Sequence, residues 1–418
     1  MLDDSAAVKS LPDEAPLGTE SRLADAIGGN QLAIHYQPQI RAQNSQVLGF
    51  EALVRWESPE FGLVLPMRFL GVAENLGLLV DIGSFVLDSA CRDARAWLDV
   101  GASDFTIAIN VSAAELERAE FVASVQAALS RWSVPPSLIE LELTEGMMTG
   151  DVSRVIRTMS ELKELGVKLA LDDFGTGYSS LSYLRKFPLD KLKIDRSFVE
   201  DISSDPRAAG ICRAIITLGH QLGMTVLAEG VESAAQVGYL QRNACDEFQG
   251  FYFSPAVRAE EAFATLHHRY ATEETASRGG TPTVLLVDDE ENILRALTRT
   301  LRRDGYRILT ASNVADGLDI LARNDVQAII SDQRMPGGNG TEFLAKVKDL
   351  YPDTIRIILS GYSDLASVTE AINHGAIYKF LTKPWNDDEL RVQMREVIRR
   401  YELGSSRRTD GAPPPAFS

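Results

Sequence analysis

Two hydrophobic patterns alternate along most of the chain. Short apolar runs typical of buried strands are followed by stretches with the apolar spacing of an amphipathic helix. Helix-like segments of this kind include 80–98, 113–131, 151–165 and 207–222. Between residues 23 and 270 the strand-like runs are LAIHYQP, VLGFEALVRW, FTIAINVS, LIELELTE, VKLALDDFG, KLKIDRS, TVLAEGVE and FQGFYF. Eight strands with intervening helices over about 250 residues predict a single α/β barrel.

A second alternating region occupies residues 283–402. Its apolar runs are TVLLVDD, RILTA, QAIISD, IRIILS and KFLTKP, each followed by a segment of helix length. This order predicts a doubly wound, five-stranded α/β domain. Residues 271–282 are small and polar, so we predict a linker there. Residues 1–22 and 403–418 lack hydrophobic periodicity and are predicted to be disordered tails.

Composition narrows the class of protein. A chain of 418 residues with 45% hydrophobic residues can bury a large core and form two or three domains. Its formal net charge of −17 argues against DNA or an anionic membrane as a partner, since both are polyanions. The three cysteines form no CxxC pair, which disfavours a disulfide framework or a zinc site. Without an apolar stretch of membrane-spanning length, we expect a cytoplasmic protein.

Oxygen-bearing side chains recur in or beside the predicted barrel strands, close to the points where strands give way to loops. Strand ends at a barrel mouth are rigid, and divalent hard cations prefer oxygen ligands. The adjacent carboxylates Asp172 and Asp173 would repel each other unless cations neutralised them. We therefore predict a metal-dependent phosphoester chemistry, carried by Glu51, Asn110, Glu142, Glu145, Asp172, Asp173 and Glu229 together with Lys193.

Each of these residues taken alone has an ordinary structural explanation. A single carboxylate at a strand end is more often a helix cap or a surface ion pair than a ligand. Asn110 alone fits a turn, and Lys193 alone fits a solvated strand terminus. The prediction therefore depends on the ordered set and not on any one member.

Seven short motifs carry a family resemblance. They are EALVRW at 51–56, NVS at 110–112, ELTE at 142–145, DDFGTGYSSL at 172–181, KIDRSF at 193–198, AEGVE at 228–232 and QG at 249–250. In order and spacing this set resembles the EAL-domain cyclic di-GMP phosphodiesterases. The resemblance implies a (β/α)8 barrel with an antiparallel first strand. It also implies hydrolysis of cyclic di-GMP to linear pGpG with two Mg²⁺ or Mn²⁺ ions in the site.

The resemblance also implies roles for the metal ligands. Asp172 would bridge two ions, and Glu229 would lie in the water shell of the second ion. Lys193 resembles the catalytic lysine that contacts the attacking water. Whether Lys193 or Glu229 is the general base stays open, as does a purely orienting role for Lys193. The implied ligands of the first ion are Glu51, Asn110, Glu142 and Asp172, and those of the second are Asp172 and Asp173.

Further positions of the barrel are implied at the edge of the site. Glu145 would anchor the GTGYSS loop that follows the Asp pair, and Gln249 would complete the site at the last strand. Gln37 and Arg55 are the expected contacts to the phosphates or guanines of the substrate. Gly175 and Gly177 suit a loop that bends sharply near the metals.

The second domain has its own set of strand-end residues. Parallel strands of a doubly wound sheet end at one edge, where carboxylates, a hydroxyl and a lysine can hold Mg²⁺ and leave one aspartate free to attack a phosphoryl donor. SDQRMPGGNG and KFLTKPW complete a resemblance to the receiver domain of two-component response regulators. It implies Asp332 as phosphoacceptor, Asp288 and Asp289 as Mg²⁺ ligands, Ser360 and Lys383 as phosphoryl contacts, and Phe380 as the switch aromatic. The alternative is a flavodoxin-like domain without phosphotransfer.

The two resemblances together predict a response regulator. No DNA-binding segment follows the second domain, so we expect the output to lie upstream, in the barrel. Phosphorylation of Asp332 by a cognate histidine kinase would then alter the phosphodiesterase activity, with coupling through a homodimer. Two alternatives stay open: a sensor that binds cyclic di-GMP without cleaving it, and a scaffold whose receiver mediates protein contacts.

Overall fold

A computed structural model describes residues 19–148, 151–175, 184–266, 268–270, 281–336, 338–361 and 376–409. The chain separates into two compact units. The first comprises Met1–Glu200, Ala214–Glu232 and Asn243–Ala271, and the second comprises Asp201–Arg213, Ser233–Arg242 and Thr272–Ser418.

The first region contains a closed barrel. Strand β1 is antiparallel to both of its barrel neighbours, β2 and β9, whereas β2 and β4 to β9 follow one another in parallel. Strands β3 and β10 extend the sheet beyond the barrel. The strands are β1 (Leu32–Arg41), β2 (Val47–Ser58), β3 (Gly62–Val64), β4 (Thr106–Asn110), β5 (Ile139–Thr144), β6 (Lys168–Phe174), β7 (Lys191–Ile194), β8 (Thr225–Ala228), β9 (Glu247–Phe248) and β10 (Val257–Arg258). The predicted barrel with an antiparallel first strand is confirmed.

Helices connect these strands, and local sequence signals fix several of their ends. Pro66 starts α2, where a missing N–H has no cost. The side chain of Asp151 accepts a hydrogen bond from the N–H of Arg154 and caps α6, which ends at the left-handed Gly166. The helices are α1 (Thr19–Gly28), α2 (Pro66–Asn75), α3 (Leu79–Asp99), α4 (Ala113–Leu116), α5 (Phe121–Trp132), α6 (Val152–Leu165), α7 (Arg196–Val199), α8 (Pro206–Gln221), α9 (Ala234–Arg242) and α10 (Ala259–Thr265), with 3-10 turns at Pro136–Leu138 and Glu145–Met148.

Along β1 and β2, side chains that pack against the helices alternate with side chains that face the barrel interior. Tyr36 and Phe50 pack edge-on against Trp97 of α3, with ring centroids 5.3 and 5.4 Å away. Because side chains of a strand alternate between its two faces, their neighbours Gln37 and Glu51, which pair across the strands, face the barrel interior. The apolar face of each strand thus holds the helices in place, and the opposite face is left for polar residues.

The second region has a five-stranded parallel sheet in the order β12-β11-β13-β16-β17. Its central strands are buried along their length, as expected for a sheet covered on both faces. The elements are β11 (Thr283–Val287), α11 (Glu291–Leu301), a 3-10 turn (Arg302–Asp304), β12 (Arg307–Ala311), α12 (Val314–Arg323), β13 (Ala328–Asp332), the hairpin β14 (Arg334–Met335) and β15 (Gly338–Asn339), α13 (Gly340–Leu350), β16 (Ile355–Ser360), β17 (Lys379–Thr382) and α14 (Asp387–Thr409). The predicted doubly wound domain is confirmed.

Both predicted tails overlap a helix. Helix α1 begins at Thr19, inside the tail predicted for 1–22, and it buries Leu23 and Ala26 completely. Helix α14 continues to Thr409, past the tail boundary predicted at residue 403. Propagating an existing helix adds one hydrogen bond per residue, so a polar segment can continue a helix without a core of its own. Residues 1–18, 410–418 and most of the predicted linker, 271–280, lie outside the described residues.

Two further predictions about strands were wrong. FQGFYF is a strand only at Phe248, because after Gln249 the backbone hydrogen-bonds to Val231 and turns. A Cβ on Gly250 would lie 2.1 Å from the carbonyl oxygen of Val231, so only glycine allows this close approach. Glu51 is not at a strand end but at the fifth residue of the 12-residue β2 (Val47–Ser58). β2 continues beyond Glu51 because it pairs with β1 as far as Trp56, and its last three residues pair with β3.

Cys91, Cys212 and Cys245 are buried free thiols. Within the described part of the chain, no helix combines the length and the apolar character that a membrane crossing requires.

Candidate functional site

The barrel interior gathers the residues predicted from the strand pattern. Strand register pairs Gln37 with Glu51, and it pairs Asn110 with Glu142. Glu142 and Lys193 are almost completely buried, and Asp172 is 7% exposed. Six strands, β1, β2 and β4 to β7, therefore contribute polar side chains to one interior region of the barrel.

Lys193 lies at the centre of this region. Its Nζ is 2.7 Å from Glu142 Oε2, 3.1 Å from Asp172 Oδ1 and 2.6 Å from Glu229 Oε1. Burial alone would lower the pKa of the ammonium, but the surrounding carboxylates, led by Glu142, raise it above its ordinary value. The lysine is therefore charged and serves as the cation around which the carboxylates are arranged.

One ammonium does not neutralise all the carboxylates. Burial raises the pKa of Glu142 well above its ordinary value, and burial likewise raises the pKa of Glu229 to about 8. Burial and the neighbouring Asp172 raise the pKa of Asp173. Glu51 differs: burial raises its pKa, but Lys193 and hydrogen bonds from Gln249 and Asn110 offset that effect, and its pKa is lowered. Ionising all of these carboxyls would leave the site with excess negative charge, which a bound cation would offset.

Hydrogen bonds hold Glu51 on both oxygens. Asn110 Nδ2 donates to Glu51 Oε1 at 2.6 Å, and Gln249 Nε2 donates to Glu51 Oε2. Gln249 Nε2 also lies 3.2 Å from Gln37 Oε1, while Gln37 Nε2 donates to the carbonyl of Ser254. Gln37, Glu51, Asn110 and Gln249 therefore form one connected network.

The Asp pair occupies a distorted strand end. Asp173 has a positive φ of 55°, and pairing of β6 with β7 is interrupted between Leu171 and Phe174. An aspartate in the left-handed region is an uncommon, strained conformation of a kind that clusters at functional sites. Asp172, Asp173 and Glu229 can each offer an oxygen within 4.8 Å of the others. At this distorted strand end, Asp172 and Asp173 therefore both have an oxygen close to Glu229.

The residues present fit a divalent metal. Glu142 Oε1 and Gln249 Oε1 are buried and have no hydrogen-bond partner among the described residues. A buried acceptor without a donor is costly, and a cation would satisfy it. Carboxylate and amide oxygens are the ligand set of Mg²⁺ and Mn²⁺. The structure brings together the predicted ligands Glu51, Asn110, Glu142, Asp172 and Asp173.

The remaining predicted positions lie around this centre. Glu145 Oε2 accepts a hydrogen bond from the N–H of Gly175 at 3.1 Å, at the start of the predicted loop. The rest of that loop, including Gly177, lies outside the described residues. Arg55 is buried, its pKa is lowered by burial, and it donates to the carbonyl of Val54. By strand alternation Arg55 shares the inward face of β2 with Glu51.

The second region has a smaller cluster at the ends of its strands. Lys383 Nζ lies 2.5 Å from Asp332 Oδ1 and 2.8 Å from Asp288 Oδ2. Burial raises the pKa of Asp288, while the two aspartates raise the pKa of Lys383 against the effect of burial. Asp289 is exposed beside this cluster. Ser360 is buried at the end of β16, and Phe380 is 39% exposed.

Sequence reasoning missed a second set of polar residues inside the barrel. Lys191 contacts Gln39, Glu140 and Glu247, and its Nζ lies 2.8 Å from Glu140 Oε1. Gln39, Glu140 and Lys191 lie two residues along their strands from the predicted site residues Gln37, Glu142 and Lys193. Glu247 lies two residues before the predicted Gln249, which follows β9. That spacing was the available signal, because residues two apart in a strand share a face.

Fold and site together define an α/β-barrel protein with an acidic interior suited to a divalent metal, followed by a doubly wound α/β domain with an Asp-Asp-Lys cluster. Residues 20–256 match the family model described as EAL domain. The chain therefore belongs to the EAL domain family. Residues 284–395 match the model of the response regulator receiver domain, so the C-terminal domain is a receiver.

Curated relatives agree with this membership. The chain is 43% identical over 245 residues to the signaling protein YkoW of Bacillus subtilis, covering 59% of this chain and 30% of that protein. It is 44% identical over 244 residues to the bifunctional diguanylate cyclase/cyclic di-GMP phosphodiesterase MucR of Pseudomonas aeruginosa, covering 58% and 36%. The chain spans about a third of the length of these relatives.

Solved structures are similar over the same region. A structure titled PaMucR phosphodiesterase, c-di-GMP complex, has a TM-score of 0.57 and 44% identity, covering 58% of this chain and 98% of that one. A structure of the EAL enzyme Bd1971 in its cAMP- and cyclic-di-GMP-bound form has a TM-score of 0.57 and 32% identity, covering 59% and 68%.

Proposed function

We propose that this chain is a cyclic di-GMP phosphodiesterase that hydrolyses its substrate to linear pGpG with the help of two divalent ions, Mg²⁺ or Mn²⁺. The observation that carries the proposal is the cage of Glu142, Asp172 and Glu229 around the buried Lys193. The relative MucR is named as a cyclic di-GMP phosphodiesterase, and its EAL structure is titled as a complex with this dinucleotide.

Oxygen-bearing side chains of the barrel would hold the two ions. Asp172 would belong to both ligand sets, and Glu229 would hold a water of the second ion. When bound, the ions would supply Lewis-acid stabilisation of the phosphate and a lowered pKa for a bound water. The proposed ligands of the first ion are Glu51, Asn110, Glu142 and Asp172, and those of the second are Asp172 and Asp173.

Lys193 acts on the attacking water. Its ammonium is charged and lies within hydrogen-bond distance of Glu229, so it can orient a water by donating to its oxygen. Burial raises the pKa of Glu229 to about 8, so part of its population is already protonated at neutral pH without metal and cannot accept a further proton. The geometry of the metal-free site therefore favours Lys193 as the orienting group.

Substrate contacts lie at the edge of the same network. Gln37 connects through Gln249 to Glu51, and it can offer its amide to a phosphate or a guanine edge. Arg55 lies four residues along β2 from Glu51, on the same face, and can supply a charge to a phosphate. Glu145 supports the start of the loop after the Asp pair.

The receiver is proposed to regulate this activity. A cognate histidine kinase would phosphorylate Asp332, with Mg²⁺ held by Asp288 and Asp289. The ion pair between Lys383 and Asp332 would then be replaced by contacts of Lys383 and Ser360 to the phosphoryl group, and Phe380 would change its exposure. Coupling through a homodimer is part of the same proposal.

The experiment is product analysis of cyclic di-GMP incubated with the purified chain and Mg²⁺ or Mn²⁺, beside an Asp172→Asn variant. Formation of pGpG by the wild type, lost in the variant and in chelator, supports the enzyme. Tight binding without turnover would instead support a sensor. Activity that survives Asp172→Asn would refute the metal assignment.

A further inference from the structure

A second charged layer lies inside the barrel. Lys191 Nζ donates to Gln39 Oε1 at 3.1 Å and lies 2.8 Å from Glu140 Oε1 and 2.9 Å from Glu247 Oε2. Gln39, Glu140 and Lys191 are buried, and the Glu247 side chain is 13% exposed. These four residues are called the lower layer below.

Each member of the lower layer lies two residues from a residue of the site. Lys191 precedes Lys193 on β7, and Glu140 precedes Glu142 on β5. Glu247 precedes Gln249, and Gln39 follows Gln37 on the antiparallel β1. Two residues of a strand span about 7 Å and point to the same face. On β1, β5 and β7 the lower layer therefore lies one step deeper in the barrel than the site, and Glu247 lies on β9 just before Gln249.

The lower layer also joins strands that are not neighbours. Lys191 connects β7 to β5 and to the junction of β1 and β9. That junction closes the barrel, and β9 has only two residues, Glu247 and Phe248. A short strand contributes few backbone hydrogen bonds, so a side-chain connection there has a large effect on strand position.

The two lysines differ in what cation binding would do to them. The carboxylates around Lys193 are also the proposed metal ligands, so Lys193 shares its partners once ions bind. Because the Lys193 side chain is flexible, the location of its ammonium then depends on the position of β7. The partners of Lys191 are outside the set of proposed ligands and substrate contacts, and they stay available throughout. Burial would lower the pKa of Lys191, but Glu140 and Glu247 outweigh it and raise that pKa, which keeps the ammonium charged.

We propose that the lower layer is a positioning device for the site, in which Lys191 and its three partners fix the inward faces of β1, β5, β7 and β9. Its effect is to hold Gln37, Glu142, Lys193 and Gln249 in place when cations and substrate bind. The residues of the lower layer act through these neighbours and contact neither metal nor substrate. This inference rests on the proposed function, because it assigns the lower layer a role in that reaction.

The test compares variants of the full chain. Lys191→Met leaves two buried carboxylates without a counter-charge, which lowers both stability and activity. The triple variant Glu140→Leu/Lys191→Met/Glu247→Leu replaces the charges with apolar groups and is expected to recover much of the lost stability. We expect kcat for cyclic di-GMP to remain at least about 10-fold below wild type in the triple variant, because displacement of reacting groups by about 1 Å has effects of this size or larger.

Two further variants keep the test decisive. Gln39→Met removes one neutral partner of Lys191 without leaving a buried charge unpaired, and we expect kcat to fall about 3-fold with little change in Tm. Val125→Ala, in the core of α5, lowers stability away from the barrel interior and should leave kcat within about 2-fold of wild type. If the triple variant fails to fold, the contrast between Gln39→Met and Val125→Ala decides the question.

A second readout does not depend on hydrolysis. Titration calorimetry with Mn²⁺, in a background carrying Asp288→Asn to weaken the candidate receiver site, should show an affinity at least about 10-fold lower in the triple variant and unchanged in Val125→Ala. Recovery of both kcat and Mn²⁺ affinity in the triple variant, or wild-type values in Gln39→Met, would overturn the positioning role. If the wild type binds Mn²⁺ as expected but makes no pGpG, the proposed function is refuted. The Mn²⁺ affinities of the variants would still test the positioning role of the lower layer in that case.

Discussion

The barrel and the receiver both place a lysine among carboxylates, but they do so to different depths. Lys193 is fully buried and lies within 3.1 Å of three carboxylates, whereas the Lys383 side chain is 23% exposed and pairs with two. A buried cluster is rigid and strongly coupled, while a partly exposed one exchanges partners at low cost. The first arrangement suits a preorganised catalytic site, and the second suits a reversible switch.

The largest contrast is expected in activity. Lys193→Met should reduce kcat by at least about 100-fold, since it removes the charge proposed to orient the attacking water. Lys383→Met should leave basal hydrolysis within about 3-fold, because Lys383 belongs to the receiver. Steady-state kinetics with cyclic di-GMP check both values. Equal losses in the two variants would contradict the division between a catalytic and a regulatory lysine.

The loss of unfolding free energy without metal should also be larger for Lys193→Met than for Lys383→Met. Removing Lys193 leaves several buried carboxylates without a cation, which we expect to cost about 3 kcal/mol, and removing the more exposed Lys383 should cost about 1 kcal/mol. Chemical denaturation of each variant in chelator measures the two values. The comparison fails if Lys383→Met proves the more destabilising change.

Metal binding to the barrel should depend on pH. Burial raises the pKa of Glu229 to about 8 and raises the pKa of Glu142 well above its ordinary value, so the metal-free site favours the protonated form of both carboxyls. Cations must displace these protons, so Mn²⁺ affinity should increase from pH 6 to pH 8, with proton release in weak buffer. A carboxyl whose pKa is higher in the folded state than in the unfolded state stabilises the fold at low pH, and this contribution is lost as pH rises through the folded-state pKa. The free energy of unfolding of the metal-free barrel should therefore decrease as pH rises from the ordinary carboxyl pKa through about 8. An affinity independent of pH would show that these groups are already ionised.

The smallest effect is expected at the edge of the site. Gln37→Leu removes an amide that is connected to Gln249 but is not a proposed metal ligand. We expect KM for cyclic di-GMP to rise about 5-fold with kcat nearly unchanged, as for loss of one neutral hydrogen bond. A matched Asn110→Leu variant, which removes a proposed ligand, should instead lower kcat and Mn²⁺ affinity.

The sequence predicted the strands because their apolar faces are set by packing, as in the alternation around Tyr36 and Phe50. It predicted the site residues as an ordered set, and the structure brings Glu51, Asn110 and Glu142 together with Lys193. It placed Glu51 wrongly at a strand end, because the pairing with β1 that continues β2 as far as Trp56 is a tertiary property.

The lower layer was missed for a related reason. A lysine such as Lys191 in a short apolar run is ordinarily solvated at a strand terminus, and only barrel closure encloses it with Glu140. The positive φ of Asp173 could not be predicted from the sequence either. Glycine adopts a positive φ readily, whereas aspartate does so only uncommonly.

The most direct measurement of the central claim is a crystal structure of the full chain with Mn²⁺ and cyclic di-GMP, in which anomalous scattering locates the metal. The account predicts two anomalous peaks in the barrel, both touching Asp172, with one bound by Glu51, Asn110 and Glu142 and the other by Asp173. Cyclic di-GMP in the barrel without any anomalous peak beside Asp172 would contradict the account.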